Sequence, residues 1–150
     1  MRVTFRTARR DEVPAILDLL TDDSLGATRE TADLGAYLEA FDRMQTEGGN
    51  TLIVGVDEAD RVVATYQMTL ISGLSLAAAR RAQVESVRVT SDLRGKRVGE
   101  AMFDDVEARA RAADCALIQL TMNAERDDAK RFYERLGFTP SHIGFKRYLT

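Results

Sequence analysis

The stretch Val84–Gly99, V-E-S-V-R-V-T-S-D-L-R-G-K-R-V-G, constrains the fold more than any other part of this chain. Alternating valines (Val87, Val89) predict a strand that stops at Thr90-Ser91-Asp92. A loop rich in glycine and cations follows, and an amphipathic helix begins at about Val98. A strand–loop–helix unit of this kind directs backbone N–H groups and the positive end of a helix dipole at one point in space. A phosphate-bearing ligand is the occupant that fits; a charged, solvated turn before a helix is the alternative.

With 150 residues the chain is long enough to bury a core and short enough for a single domain spanning 1–150. Its 45% hydrophobic and 30% charged residues exclude wholesale disorder. A formal net charge of −3 argues against general nucleic-acid binding, which favours a basic face, and suits a cationic small molecule better. The lone Cys115 has no partner for an internal disulfide or a cysteine-rich metal site, and reads as a buried structural thiol. Met1–Phe5 has no long apolar run and nowhere do 18 apolar residues follow one another. Neither a signal peptide nor a membrane span is therefore expected, and the cytoplasm is the expected location.

Along the chain, Val3 and Phe5 alternate with Arg2, Thr4 and Arg6, which predicts a first strand over 2–8. Asp11 is the expected N-cap of a helix carrying Val13, Ile16, Leu17 and Leu20. A second helix is expected over about 32–46, stopped by Gly48-Gly49-Asn50. Strands over 51–56 and 62–70 flank the acidic turn 57–60, and 84–89 is a fourth strand. Residues 72–81 read as a loop or a short helical turn. Val98, Met102, Val106, Ala110 and Ala113 form one helical stripe, 116–121 a fifth strand, and Ala129, Phe132, Tyr133 and Leu136 a second stripe ended by Gly137. Ile143–Leu149 is a candidate last strand. The order, β-α-α-β-β-β-α-β-α-β, implies an α+β (mixed α/β) sheet rather than a doubly wound one.

Arg94-Gly95-Lys96-Arg97-Val98-Gly99 lacks the Gly-Lys-Ser/Thr ending of a nucleotide-hydrolysing P-loop, and its glycines are misplaced for a dinucleotide fingerprint. The segment N-A-E-R-D-D-A-K-R-F-Y-E-R-L-G-F, residues 123–138, resembles motif B of the GNAT-type acyl-CoA N-acyltransferases. Residues 84–99 then resemble motif A, whose pattern is Gln/Arg-x-x-Gly-x-Gly/Ala. The two segments lie in the family's order and spacing, and the element order of the whole chain is similar to the family's. One departure stands out: Arg97 occupies the place of the family's first glycine.

The resemblance implies a central, mostly antiparallel mixed sheet of six to seven strands flanked by about four helices. Its fourth strand would carry a bulge and splay from the fifth, opening a cleft for acetyl-CoA. It implies that Val87, Arg88 and Val89 offer strand backbone to the pantetheine amides. It assigns the pyrophosphate to the backbone of Arg94, Gly95, Lys96, Arg97, Val98 and Gly99, and the cofactor arm to Asn123. Tyr133 matches the family tyrosine that serves as general acid at the CoA sulfur; aromatic packing with Phe132 is its other reading. Glu85 matches a fourth-strand position where many relatives carry a carboxylate facing the acceptor, and is the candidate base. Its other reading is a strand-edge charge or a structural ion pair. A homodimer is a further expectation from the family.

His142 reads as a surface or structural histidine, and no metal or Cys-His nucleophile is expected. Asp127 and Asp128 complement the positive end of their helix. Asp22, Asp23, Glu30, Asp33, Glu39 and Asp42 are either a solvated acidic face or an attractor for a cationic acceptor. The function implied is acetyl transfer from acetyl-CoA to a primary amine of a small molecule or peptide. A catalytically silent acyl-CoA-binding module is the alternative, suggested by Arg97.

Overall fold

Alternating side chains make a strand useful only beside a neighbour, and four consecutive strands here find theirs in sequence order. In the computed structural model, which describes residues 2–22, 30 and 32–150, β1 (Thr4–Thr7) pairs antiparallel with β2 (Asn50–Val56). β2 pairs with β3 (Val62–Ile71), and β3 with β4 (Arg81–Val89), again antiparallel. β5 (Leu117–Leu120) then lies parallel to β4, giving a five-stranded mixed sheet in the order β1-β2-β3-β4-β5. That parallel step needs a crossover. It is supplied by helix α3 (Val98–Ala112). The described residues gather into two units, Met1–Gln119 and Leu120–Thr150.

The register divides the first unit's core between two faces. Val54 and Val56 pack with Ala8, with Val13 and Ile16 of α1 (Val13–Leu20), and with Phe41 of α2 (Leu34–Glu47). The opposite face carries Ile53 across from Tyr66 and Met68 across from Val84, all buried. The α3 stripe of Val98, Met102, Val106 and Ala110 is buried too, as the helical spacing predicts, and α3 packs against β3 and β4. Gly55 is where β1 comes closest: an added Cβ would stand 2.7 Å from a ring carbon of Phe5.

Two polar fixtures tie these layers together. The buried Tyr66 hydroxyl donates to Asp105 Oδ2 at 2.6 Å, and Arg109 Nε donates to the same oxygen at 2.8 Å. Burial, reinforced by the adjacent Asp105 carboxylate, raises the Tyr66 pKa and keeps the phenol protonated. Near β1, the buried Glu12 accepts both Arg6 Nη1 (2.8 Å) and Nη2 (2.7 Å), and its Oε1 also accepts the Arg9 N–H at 2.8 Å.

Glu12 also explains a departure from the expected helix start. Asp11 is not the N-cap: Arg10–Glu12 form a 3₁₀ turn and the α-helix proper begins at Val13. A carboxylate held by Arg6 and the Arg9 N–H ties down this entry, so a cap at Asp11 is not needed. Cys115 is only half-buried, in the turn that follows α3. The strand count is five among the described residues rather than six to seven, and Ile143–Leu149 joins no ladder. Alternation marks a segment that suits a sheet, but does not name the edge it will join. Residues 75–78 form a single turn with left-handed φ at Leu76, Ala77 and Ala78, which leads directly into β4.

The Arg6 hydrogen bonds lower the Glu12 pKa despite the opposing effect of burial. A carboxyl whose pKa is lower folded than unfolded stabilises the fold above its unfolded value of about 4.3, and loses that contribution as pH falls through the folded value. Glu12→Gln is therefore expected to lower unfolding free energy at pH 7 by about 2 kcal/mol. The difference from wild type should shrink below about pH 4 in denaturant titrations.

Candidate active site

The site is built around an irregularity in β4. Glu85 pairs with Gln67 and Arg88 with Thr65, so three steps along β4 match two along β3. The extra residue is accommodated by Ser86, whose φ is +55°. A bulge of this kind bends the strand and resets which side chains share a face. Before it, Val84 faces the α3 side and Glu85 the side carrying α1 and α2. After it, Arg88 shares the Glu85 face, through its partner Thr65, and Val89 shares the Val84 face, through Ala64. The simple alternation that puts Glu85, Val87 and Val89 on one side therefore ends at the bulge. Glu85 is exposed, while Val87, Arg88 and Val89 are half-buried.

Glu85 belongs to a polar strip. Arg81, Gln83 and Glu85 alternate along β4 with the buried Ala82 and Val84, and pair with Ile71, Thr69 and Gln67. Gln119 Nε2, from β5, donates to Gln83 Oε1 at 2.6 Å, and Arg81 Nη1 lies 3.4 Å from Gln119 Oε1. Thr69 Oγ1 donates to Asn50 Oδ1 at 2.7 Å. None of these neighbours was among the expected site residues. The signal was present as the alternation R-A-Q-V-E, 81–85, but the strand was expected to start only at Val84.

At the far end of β4 the chain makes a 3₁₀ turn, Ser91–Leu93, and then the loop Arg94–Arg97. The N–H groups of Arg94 and Lys96 close this turn on Ser91 and Leu93. Gly95 has φ +81°, and Arg97, immediately before α3, has φ +63°. The position that carries glycine in the family pattern thus has the left-handed backbone for which glycine is favoured. The first helical bond runs from the Ala101 N–H to the Arg97 carbonyl, so the N–H groups of Val98, Gly99 and Glu100 precede the helix's own ladder. Two anions hold the loop from outside. Asp22 Oδ2 accepts the Ser91 N–H at 3.1 Å and lies 3.7 Å from Arg94 Nη2; Asp92 pairs with Arg61 at 3.1 Å.

Three of the remaining acidic candidates have local partners, and Glu39 is exposed on α2. Glu30 accepts the Tyr37 hydroxyl, Asp33 caps α2 through the Ala36 N–H, and Asp42 pairs with Arg10. Asp23 lies outside the described residues.

The second unit holds the other two candidates. Exposed Asn123 accepts the Glu125 N–H through Oδ1 at 2.9 Å, a turn that leads into α4 (Asp127–Arg135). Tyr133, half-buried on α4, meets Phe132 and Phe138 edge-on at centroid distances of 5.3 and 6.0 Å. Asp127 and Asp128 occupy the first turn of α4. His142 is exposed, 2.7 Å from the Ser141 hydroxyl. Among the described residues no group of three or more His, Cys, Asp or Glu is placed to hold a metal ion.

Three comparisons bear on this geometry. A solved structure from Bacillus halodurans, described as a transcriptional regulator, is 35% identical and superposes with a TM-score of 0.93 over 99% of this chain and 100% of its own. An acetyltransferase from Trypanosoma brucei shares the fold, with a TM-score of 0.81 at 20% identity over 99% of this chain and 100% of that one. The aminoalkylphosphonate N-acetyltransferase of Salmonella typhimurium is 34% identical over 67 residues, which span 45% of this chain and 44% of that protein. The match thus covers less than half the length of this curated relative. The pattern of the acetyltransferase (GNAT) family matches residues 13–138, from the start of α1 to just past α4, and the chain belongs to that family.

Proposed function

We propose that this protein transfers an acetyl group from acetyl-CoA directly to a primary amine of a small molecule or peptide, as a cytoplasmic homodimer that needs no metal. The observation that carries the reading is the bulged β4: it sets Glu85 on an exposed polar strip at one end and leads into the glycine- and cation-rich loop at the other. Membership of the acetyltransferase family supports it. So does the matching stretch of a relative described as an N-acetyltransferase. Among the described residues no helix is long and apolar enough to cross a membrane.

Acetyl-CoA, when bound, supplies a thioester whose acyl carbon accepts the amine nitrogen as the C–S bond breaks. On this reading the backbone of Val87, Arg88 and Val89 receives the pantetheine arm, and the loop from Arg94 to Gly99 receives the phosphates. Asn123 holds the arm near its reactive end. An alkylammonium, with a pKa of about 10.4, must lose a proton before it can attack, and Glu85 takes that proton. The Tyr133 hydroxyl supplies one to the leaving sulfur. No covalent enzyme intermediate is needed. The net charge of −3 favours a cationic amine over nucleic acid as the acceptor.

A silent acyl-CoA-binding module is the second reading. Arg97 in the loop favours it, as does the 35% identical structure described as a transcriptional regulator. Calorimetry with acetyl-CoA followed by an amine screen separates the two: binding with no transfer to any amine selects the module.

Tyr133→Phe is expected to lower turnover by about a hundredfold with acetyl-CoA affinity unchanged. Full activity in this variant would remove Tyr133 as the acid. Glu85→Gln should flatten the acid limb of the pH–rate profile, because only the ionised carboxylate takes a proton. An unchanged profile assigns Glu85 a structural role. Arg97→Gly should raise unfolding free energy by about 1 kcal/mol, since a left-handed backbone is unfavourable for any residue with a Cβ. It should also weaken acetyl-CoA binding about tenfold, or about 1.4 kcal/mol, through loss of the cation. Opposite movement of stability and affinity is the signature; unchanged affinity would show that the side chain does not meet phosphate.

A further inference from the structure

Arg81 is a half-buried cation without an anion. It opens β4 on the face that carries Glu85, and its Nη1 donates to Gln119 Oε1 at 3.4 Å. Among the described residues no carboxylate stands within ion-pair distance of it. Arg6, Arg10, Arg61 and Arg109, by contrast, each hold an aspartate or a glutamate. A guanidinium has five N–H donors, and one long bond to an amide leaves most of them unused. Taking such a charge partly out of water is unfavourable unless an acceptor replaces the lost hydration.

The same contact orients its neighbours. Asn50, Thr69 and Gln83 stand in one cross-strand row on β2, β3 and β4, and Gln119 extends the row on β5. With Arg81 on its oxygen, Gln119 turns its amide nitrogen to Gln83, which accepts through Oε1 at 2.6 Å. The Gln83 –NH2 therefore points away from the pair, and among the described residues neither of its N–H groups has a partner. Side chains on one face of a strand follow each other at about 7 Å, so these donors lie one step from Glu85. A carboxylate or a phosphate has lone pairs for the donors of both Arg81 and Gln83; an ammonium has none.

We propose that the acceptor is a primary amine that also carries an oxyanion, held by Arg81 and the Gln83 amide while its nitrogen reaches Glu85. The role of Glu85 in this proposal rests on the acetyl-transfer reading; the anion cradle does not. Opposite charges at the two ends of the strip give the acceptor one orientation, ammonium to Glu85 and anion to Arg81. A diamine would set its second ammonium against Arg81 and is disfavoured. The spacing calls for several atoms between amine and anion rather than the single carbon of an α-amino acid.

Two measurements on the purified full chain test it: transfer from acetyl-CoA to ω-aminopentanoate, aminobutyl phosphate, pentylamine and cadaverine, and calorimetric titration of the same amines into the chain saturated with CoA. The better of the two oxyanions is expected to exceed pentylamine in kcat/KM by about thirtyfold, with cadaverine below pentylamine. Which oxyanion wins identifies the anion as carboxylate or phosphate. Arg81→Met should bring the ratio of anionic to neutral amine to about one, and Arg81→Lys should restore part of it, a pattern that lost packing does not produce. Equal rates on anionic and neutral amines, or a ratio that survives Arg81→Met, overturn the proposal and leave acetyl transfer standing. Binding of an anionic amine that Arg81→Met abolishes, with no transfer to any amine, upholds the cradle and removes the transfer reading. Neither binding nor transfer of the anionic amines overturns the proposal.

Discussion

One extra residue in β4 decides which face the side chains beyond it share. β3 and β4 are paired on both sides of the bulge, by Met68 with Val84 before it and Ala64 with Val89 after it, and all but Val89 are fully or almost fully buried. The strand must therefore take up its surplus at Ser86, in a left-handed conformation that is unfavourable by about 1–2 kcal/mol for a residue with a Cβ. Buried pairs on either side hold it there. The result is a strand that packs against α3 at one step and presents Glu85 and Arg88 to the opposite face at others.

Electrostatics then fix the loop that follows. Arg94, Lys96 and Arg97 place three cations within four residues, a cluster that repels itself unless anions are near. Asp22 supplies one, on the Ser91 backbone N–H and on Arg94, whereas Asp92 is paired with Arg61. The Asp22–Arg94 contact is long and half-exposed, so its hold is weak in water. A phosphate near the loop would meet an arginine that is positioned but not consumed. The Tyr66–Asp105–Arg109 cluster acts at the other end of the same helix, where Arg109 also reaches the Phe5 carbonyl of β1. α3 is thus tied to β3 and β1 through Asp105 and Arg109.

The parts legible in the sequence are those set by local pattern. The α3 stripe, the stop at Gly48-Gly49 and the hairpin at 57–60, where Asp57 accepts the Ala59 and Arg61 N–H groups, all follow from spacing or side-chain chemistry within a few residues. The misses share a different cause. Leu76, Ala77 and Ala78 all adopt positive φ without being glycine or asparagine, whereas the bulge at Ser86 and the glycine-like position of Arg97 were implied by the family resemblance. Tertiary context imposes these conformations, and nothing in the residue types announces them. The early start of β4 was hidden for that reason, behind three alanines that read as a helical turn. With it went the polar strip of Arg81 and Gln83, and the recognition that Gln119 on the next strand would meet them. The last strand fails differently: its alternation is plain, but pairing is non-local, and no property of 143–149 says which edge it joins.

The same distinction limits what family membership says about the acceptor. Fold and donor chemistry belong to the family, whereas the acceptor is chosen by the surface it meets. On the proposed reading that surface is the strip around Glu85: amides at Gln67, Gln83 and Gln119, a hydroxyl at Thr69, and one cation at Arg81. Amide and hydroxyl groups discriminate by hydrogen-bond matching, and a site built that way rejects an analogue lacking the matching group far more strongly than an apolar pocket rejects a missing methylene. The isolated carboxylate can draw in a cationic nitrogen but cannot rank one amine above another. On that same proposed reading, selection among amines would fall to Gln83 and Gln119, whose side chains are bonded to each other at 2.6 Å and so hold their remaining donors and acceptors in a fixed direction.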